Sequence, residues 1–253
     1  MSEDDWFDPD INAMELSWGE KAGLQIYRNY TRSFESHALA KFREALNREA
    51  LDLAELEKLT ALIATEDLRF IPIIVCAFGD DLLEQALKRS IPDGVPGGKA
   101  KLFSSYGPLS DLSKRIQMAS AFDVVSVDLM YDLDRVRTTR NKISHSWDLS
   151  TLSDFYSSGR AADLFPIEVN LAERALRDPE LRTLLGPGAA FRVRVIWLAG
   201  RLRYETAFYG LAKKARLSPG RALYEDGGTE WLKKVAAICM DATVAVVRAG
   251  QGS

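Results

Sequence analysis

The sequence predicts an all-α protein, built as a multi-helix bundle. Three observations predict it. Apolar residues recur at three- and four-residue spacing, and no run keeps the two-residue alternation of a strand for a useful length. The stretch SFESHALAKFREALNREALDLAELEKLTALI is rich in Ala, Leu, Glu and Lys, all strong helix formers. An apolar fraction of 47% with 27% charged residues supplies a core and a solvated exterior of ordinary proportions.

The elements follow in order. The acidic opening SEDDWFDPD reads as a solvated lead-in over residues 1–15. Helical periodicity then runs from about Leu16 to Ala64. Thr65 offers a helix N-cap, with Glu66 and Asp67 placing negative charge in the first turn. The run LRFIPIIVCAFGDDLLEQALKRSI is apolar enough to expect a central place in the bundle, and Pro72 should kink or restart it. PDGVPGG, residues 92–98, is a loop. A helix is expected from Leu109 through SDLSKRIQMASAF, and Ser126 can cap the next, VDLMYDLDRVRTTRNKISHSW. Residues 149–170 lack periodicity and read as a long connection. Two more helices are expected, at about 189–215 and 229–248, with GPG at 186–188 and GG at 227–228 read as turns. The predicted organisation is a lead-in (1–15), a helical bundle (16–150), a connecting segment (151–188) and a C-terminal helical pair (189–250) packing on the bundle.

Composition narrows the function. A net charge of −3 provides no global basic field, so any nucleic-acid contact needs a local patch. Cys76 and Cys239 lie far apart, each in an apolar run, and are expected to be buried and unpaired. No cluster of metal-ligand spacing, no glycine-rich phosphate loop and no nucleophile signature is visible, so neither a metal nor a cofactor is expected. No basic-then-apolar leader opens the chain and no apolar stretch is long enough for a membrane span. A cytoplasmic protein without membrane contact is the expectation.

The segment RTTRNKISHSW, residues 137–147, concentrates the chemistry, and His145 is one of only two histidines. Each helical residue advances ~100°, so Asn141 and His145 share a face with Arg137, Asp134 and Asp148. A second stripe, Leu133, Val136, Arg140, Ile143 and Trp147, has core-facing spacing. Arg140 occupies an apolar slot in it. A buried arginine needs a partner, so Arg140 is expected to be mostly buried and held by Asp80 or Asp81. Arg135, Arg137 and Lys142 add a local positive patch, with no acid between Arg135 and Lys142. On these residues alone, a hydrogen-bonded knot tying two helices is a sufficient explanation.

LFSSYGPLSDLSKRIQMASAFDVVSVDLMYDLDRVRTTRNKISHS resembles the mannitol operon repressor family. Pro108, Leu109, Ser113, Arg115 and Ile116 match its PL-x-x-x-S-x-R-I helix, and Arg140, Asn141, His145 and Ser146 match its I-R-N-x-x-A-H-S segment. Asp80 and Asp81 fall where the family has an L-D-D-x-L helix. The resemblance covers about residues 60–150; it departs at Thr139, usually Ile, and at Ser144, usually Ala.

Arg140-Asn141-x-x-x-His145 is also similar to the R-x(4–6)-H motif of HEPN domains. That resemblance implies a HEPN-like all-α core with additional N- and C-terminal helices. Many such domains are dimeric, metal-independent ribonucleases of toxin–antitoxin or phage-defence systems; others are binding modules. It further implies that Arg140, Asn141 and His145 are catalytic, with Arg135, Arg137 and Lys142 along the single-stranded RNA and Asp80 and Asp81 as supporting carboxylates. His145 would move the 2′-OH proton or protonate the leaving oxygen, Arg140 would meet the charge on phosphorus, and Asn141 would orient His145 or the phosphate. One histidine per site is too few for both proton transfers, so a homodimer is implied. An antitoxin is the protein partner expected of the ribonuclease; the alternative is a regulatory module of the mannitol-repressor type that binds a regulator protein without direct DNA binding or catalysis. No helix-turn-helix is visible to support direct DNA binding.

Overall fold

The computed structural model describes residues 6–48, 51–122, 124–144, 179–214 and 230–251, and no strand occurs among them. The chain divides into two compact units, Met1–Ala50 with Leu211–Ser218, and Leu51–Gly210 with Pro219–Ser253. The first long helix therefore groups with the acidic lead-in, rather than with the bundle that begins at residue 16 in the sequence reading.

In the first unit, α1 (Pro9–Asn12) packs on α2 (Trp18–Arg48). The lead-in is not solvated throughout. Phe7 and Ile11 are buried with Ala22 of α2, and the Phe7 ring meets Trp18 edge-on at 6.1 Å. Arg28 reaches back to Asp8 (2.8 Å) and Asp10 (2.7 Å). It holds the Asp10 carboxyl down to about 2. Gln25 Oε1 accepts from the Asp8 amide, and Lys21 donates to the Asn12 carbonyl at the end of α1. Two of the acids that suggested a free tail, Asp8 and Asp10, tie it down.

The second unit contains α3 (Ala54–Thr65), α4 (Ile71–Ser90), α5 (Lys99–Phe103), α6 (Leu112–Ala121), α7 (Val127–Ser144), α8 (Pro179–Lys214) as far as Gly210, and α9 (Glu230–Gln251); the last residues of α8 group with the first unit. Thr65 ends α3 instead of capping α4, and its hydroxyl bonds back to the Ala61 carbonyl. Pro72 restarts the chain as expected: it sits in the first turn of α4, where its missing N–H costs no intrahelical bond. The 92–98 loop is present, with Gly97 and Gly98 at positive φ. Asp111 caps α6 by accepting from the Lys114 amide, which moves the helix start from Leu109 to Leu112.

α4 packs on α6 and α7, and α9 packs on α3. α4 is only half enclosed, since Ile73, Ala77 and Asp81 are exposed while Val75, Cys76, Leu82 and Leu83 are buried. The most enclosed stretch among the described residues lies in α8, where Val195, Ile196, Trp197, Leu198 and Ala199 are buried in succession. The expected turn at 186–188 lies inside this helix. α9 presents a stripe of Trp231, Val235, Cys239, Ala242 and Val246, and Gly200 of α8 lets it approach closely: a Cβ there would stand 2.5 Å from Cys239 Sγ. Cys76 and Cys239 are both buried and unpaired, as expected. No helix among the described residues is long and apolar enough to cross a membrane.

Candidate functional site at the end of α7

The buried line of α7 runs Leu129, Leu133, Val136 and Thr139. After Val136 the next inward position is three residues on, not four, so Thr139 takes the slot expected for Arg140. A threonine tolerates this because its hydroxyl donates to the Arg135 carbonyl one turn back, at 2.9 Å. Arg140, Asn141 and Ile143 lie at the half-buried edge, and Thr138, Lys142 and Ser144 face solvent. His145, Ser146, Trp147 and Asp148 lie outside the described residues, as do the connection read at 149–170 and the Gly227-Gly228 turn.

Arg140 is therefore neither mostly buried nor held by Asp80 or Asp81. Its Nε and Nη2 donate to Asn141 Oδ1, at 3.2 and 2.8 Å. A neutral carboxamide thus orients the guanidinium, and among the described residues no carboxylate pairs with it. The neighbouring cations differ. Arg137 Nε donates to Asp134 Oδ1 at 2.7 Å, and Arg135 Nη1 stands 3.4 Å from Asp132.

Asp80 serves another arginine. Arg115 of α6, 5% exposed, pairs with Asp80 Oδ1 at 2.7 Å and with Glu84 of α4. Its Nε donates to the Leu109 carbonyl, and the Phe103 ring lies under the guanidinium. Burial pushes the Asp80 carboxyl above its ordinary range, although Arg115 opposes the shift. Asp81 is exposed on the other side of α4. The buried arginine clamp anticipated for α7 is real, but α6 supplies it.

A second buried polar cluster lies at the start of α7. Ser126 occupies the cap position, yet its amide and hydroxyl both donate to Glu205 Oε2 of α8, at 2.8 and 2.7 Å. Glu205 is thus the anion at this helix N-terminus, where the backbone dipole favours negative charge. Arg201 bridges Glu205 Oε1 (3.0 Å), Ser126 Oγ (2.9 Å) and Asp128 Oδ2 (2.9 Å). One turn further, Asp132 is 2% exposed, and burial raises its carboxyl to about 7 against the pull of Arg135 and Arg201.

Between α6 and α7 lies a groove of about 390 Å³, whose lining includes Ile116, Gln117, Met130, Tyr131, Asp134 and Arg137. Among the described residues no group of three His, Cys, Asp or Glu side chains is placed to hold a metal ion. Of the residues singled out in the sequence, the structure joins Arg140 to Asn141 and brings Arg137 to the groove. Lys142 is on the exposed face of the same helix. No protein-family model, no curated protein and no solved structure matches the chain.

Proposed function

We propose that the protein is a HEPN-like, metal-independent ribonuclease acting on single-stranded RNA as a homodimer. The observation that carries this reading is the state of Arg140: its guanidinium is fixed by Asn141 rather than by a carboxylate. A fixed fork of donors with uncancelled charge suits a phosphate that gains negative charge as it reacts. Asn141 is then a positioning residue for Arg140.

In the reaction His145 takes the proton from a ribose 2′-OH. The 2′-oxygen bonds to phosphorus, the bond to the 5′-oxygen breaks, and a cyclic phosphate remains. The leaving oxygen receives its proton from His145 of the second copy, and Arg140 meets the charge on the pentavalent phosphorus. Lys142 and Arg135 lie on the approach of the strand.

Purified protein should cleave single-stranded RNA with a chelator present and leave cyclic phosphate ends. His145→Ala should slow this ~10²–10⁴-fold, the usual contribution of a positioned acid–base group. Arg140→Ala should do likewise. Failure of the wild-type protein to cleave any single-stranded RNA would end the ribonuclease reading.

The second reading, a regulatory or protein-interaction module, is favoured by a separate observation. Leu24, Tyr27, Tyr30 and Phe34 follow one face of α2 and are all exposed, Tyr27 at 71%. An exposed apolar face of this extent marks an interaction surface. Such a stripe also supports self-association, so sedimentation of Tyr27→Glu beside wild type separates a dimer seam from a surface for another protein.

A further inference from the structure

We infer that the groove between α6 and α7 is a nucleobase subsite, and that it takes a cytosine of a single-stranded RNA. The inference rests on the single-stranded RNA reading above and names the part of the strand that lies beside Arg140. Its volume of about 390 Å³ falls within the range of small-molecule sites, roughly 300–1,000 Å³. That is room for one base and its sugar.

Three features of the lining select the occupant. Tyr131 lines the groove and is 66% exposed, and Ile116 and Met130, also in the lining, are buried. A flat ring over an apolar floor is a stacking platform, and stacking tolerates any base. The edge is read elsewhere. Gln117 offers an amide donor and acceptor, and Asp134 offers carboxylate oxygens, one of them engaged by Arg137. A carboxylate only accepts, so it favours the exocyclic amine of cytosine and repels the carbonyl that uracil presents at the same place.

The direction of the strand follows from α7. The groove-lining positions Tyr131, Asp134 and Arg137 are three residues apart and continue, four residues on, to Asn141, the partner of Arg140. Arg137 precedes Arg140 by only ~4.5 Å of helix rise. A base held in the groove therefore delivers its own backbone toward the oriented guanidinium. A peptide helix is a poorer occupant, because Gln117 and the paired Asp134 and Arg137 line the groove.

The test is fluorescence anisotropy with labelled eight-nucleotide oligo(C) and oligo(U), using His145→Ala protein to prevent turnover, together with cleavage by the wild type. Oligo(C) should bind more tightly than oligo(U). Tyr131→Ala should weaken both by roughly 5–150-fold, the equivalent of one lost base stack, while Tyr131→Phe should bind like the parent. Asp134→Asn should erase the preference for oligo(C) over oligo(U), whatever it does to overall affinity. Melting curves of the variants confirm that these exposed substitutions leave the fold intact. Unchanged binding by Tyr131→Ala, or an equal preference in Asp134→Asn and parent, overturns the subsite; cleavage that persists with unaltered KM then leaves the ribonuclease standing. Tyr131-dependent binding without any cleavage by wild type keeps the subsite and removes the ribonuclease. No binding of either oligonucleotide overturns the subsite, and with no cleavage by the wild type it removes both.

Discussion

Replacing Asp132 by Asn should remove a pH dependence from the stability of the second unit. Asp132 is enclosed between α7 and its neighbours at 2% exposure. Its closest cation, Arg135 Nη1, is 3.4 Å away, too long for a strong charge-assisted bond. Burial therefore outweighs Arg135, Arg201 and Arg194, Asp128 adds repulsion, and the carboxyl titrates at about 7 instead of 3.8. A raised folded-state pKa means that the native state holds the proton longer than the unfolded chain. The stabilising effect is complete below the unfolded pKa and is lost as pH rises through the folded one. Linkage between these two values gives a loss of about 2 kcal/mol from about pH 5.5 to about pH 8, as an upper bound. Urea unfolding at the two pH values measures it. The wild type should lose stability on going to the higher pH, and Asp132→Asn should lose about 2 kcal/mol less, whatever constant offset the amide introduces. Parallel pH dependence in the two proteins would refute the argument, because it would mean that Asp132 ionises as readily folded as unfolded.

Arg115→Met should destabilise by about 3 kcal/mol, the lower end for a broken buried pair, since Asp80 and Glu84 keep partial access to water. Adding Asp80→Asn and Glu84→Gln should recover most of the loss in urea titrations; equal loss in single and triple variants would count against the clamp. Gly200→Ala should lower the melting temperature, because the added methyl meets Cys239 Sγ. In a Cys239→Ala background the same change should cost much less, because only the 3.2 Å approach to Val235 Cγ1 then opposes the higher helix propensity of Ala, worth about 1 kcal/mol over Gly. Burial pushes the Cys76 thiol up to about 11 and the Cys239 thiol up to about 12. Both should resist a thiol reagent in the native protein and react once urea unfolds it; fast native labelling would contradict their burial.

The helices were readable from the sequence because periodicity and breakers are local. Pro72, the 92–98 loop and the start of α7 after Ser126 depend on residues within a turn of themselves, and these expectations held. The exact starts of α4 and α6 did not follow, because Thr65 and Leu109 offered caps and apolar faces at more than one place. Gly186-Pro187-Gly188 reads locally as a turn, yet α8 runs through it. A helix enclosed as fully as Val195 to Ala199 draws its stability from neighbours, and packing outweighs propensity there.

The arginines show where a sound rule meets a choice that sequence leaves open. A buried arginine does need a carboxylate, and Asp80 does hold one, but Arg115 has the prior claim. It stands beside Leu112, Ile116 and Ala119 on the inward face of α6, and α4 offers it two acids four residues apart, Asp80 and Glu84. The signal was present in SDLSKRIQMASAF, in the same form as the one read for Arg140. Only the packing of α6 and α7 on α4 decides which guanidinium reaches Asp80. That competition has a consequence for the site. With Asp80 engaged by Arg115, Arg140 is left to Asn141, a partner that orients without neutralising. An arginine whose charge was spent on a buried acid would hold two helices together. One fixed by an amide at a half-buried edge keeps a charge that an anion could meet, as the ribonuclease proposal requires of Arg140.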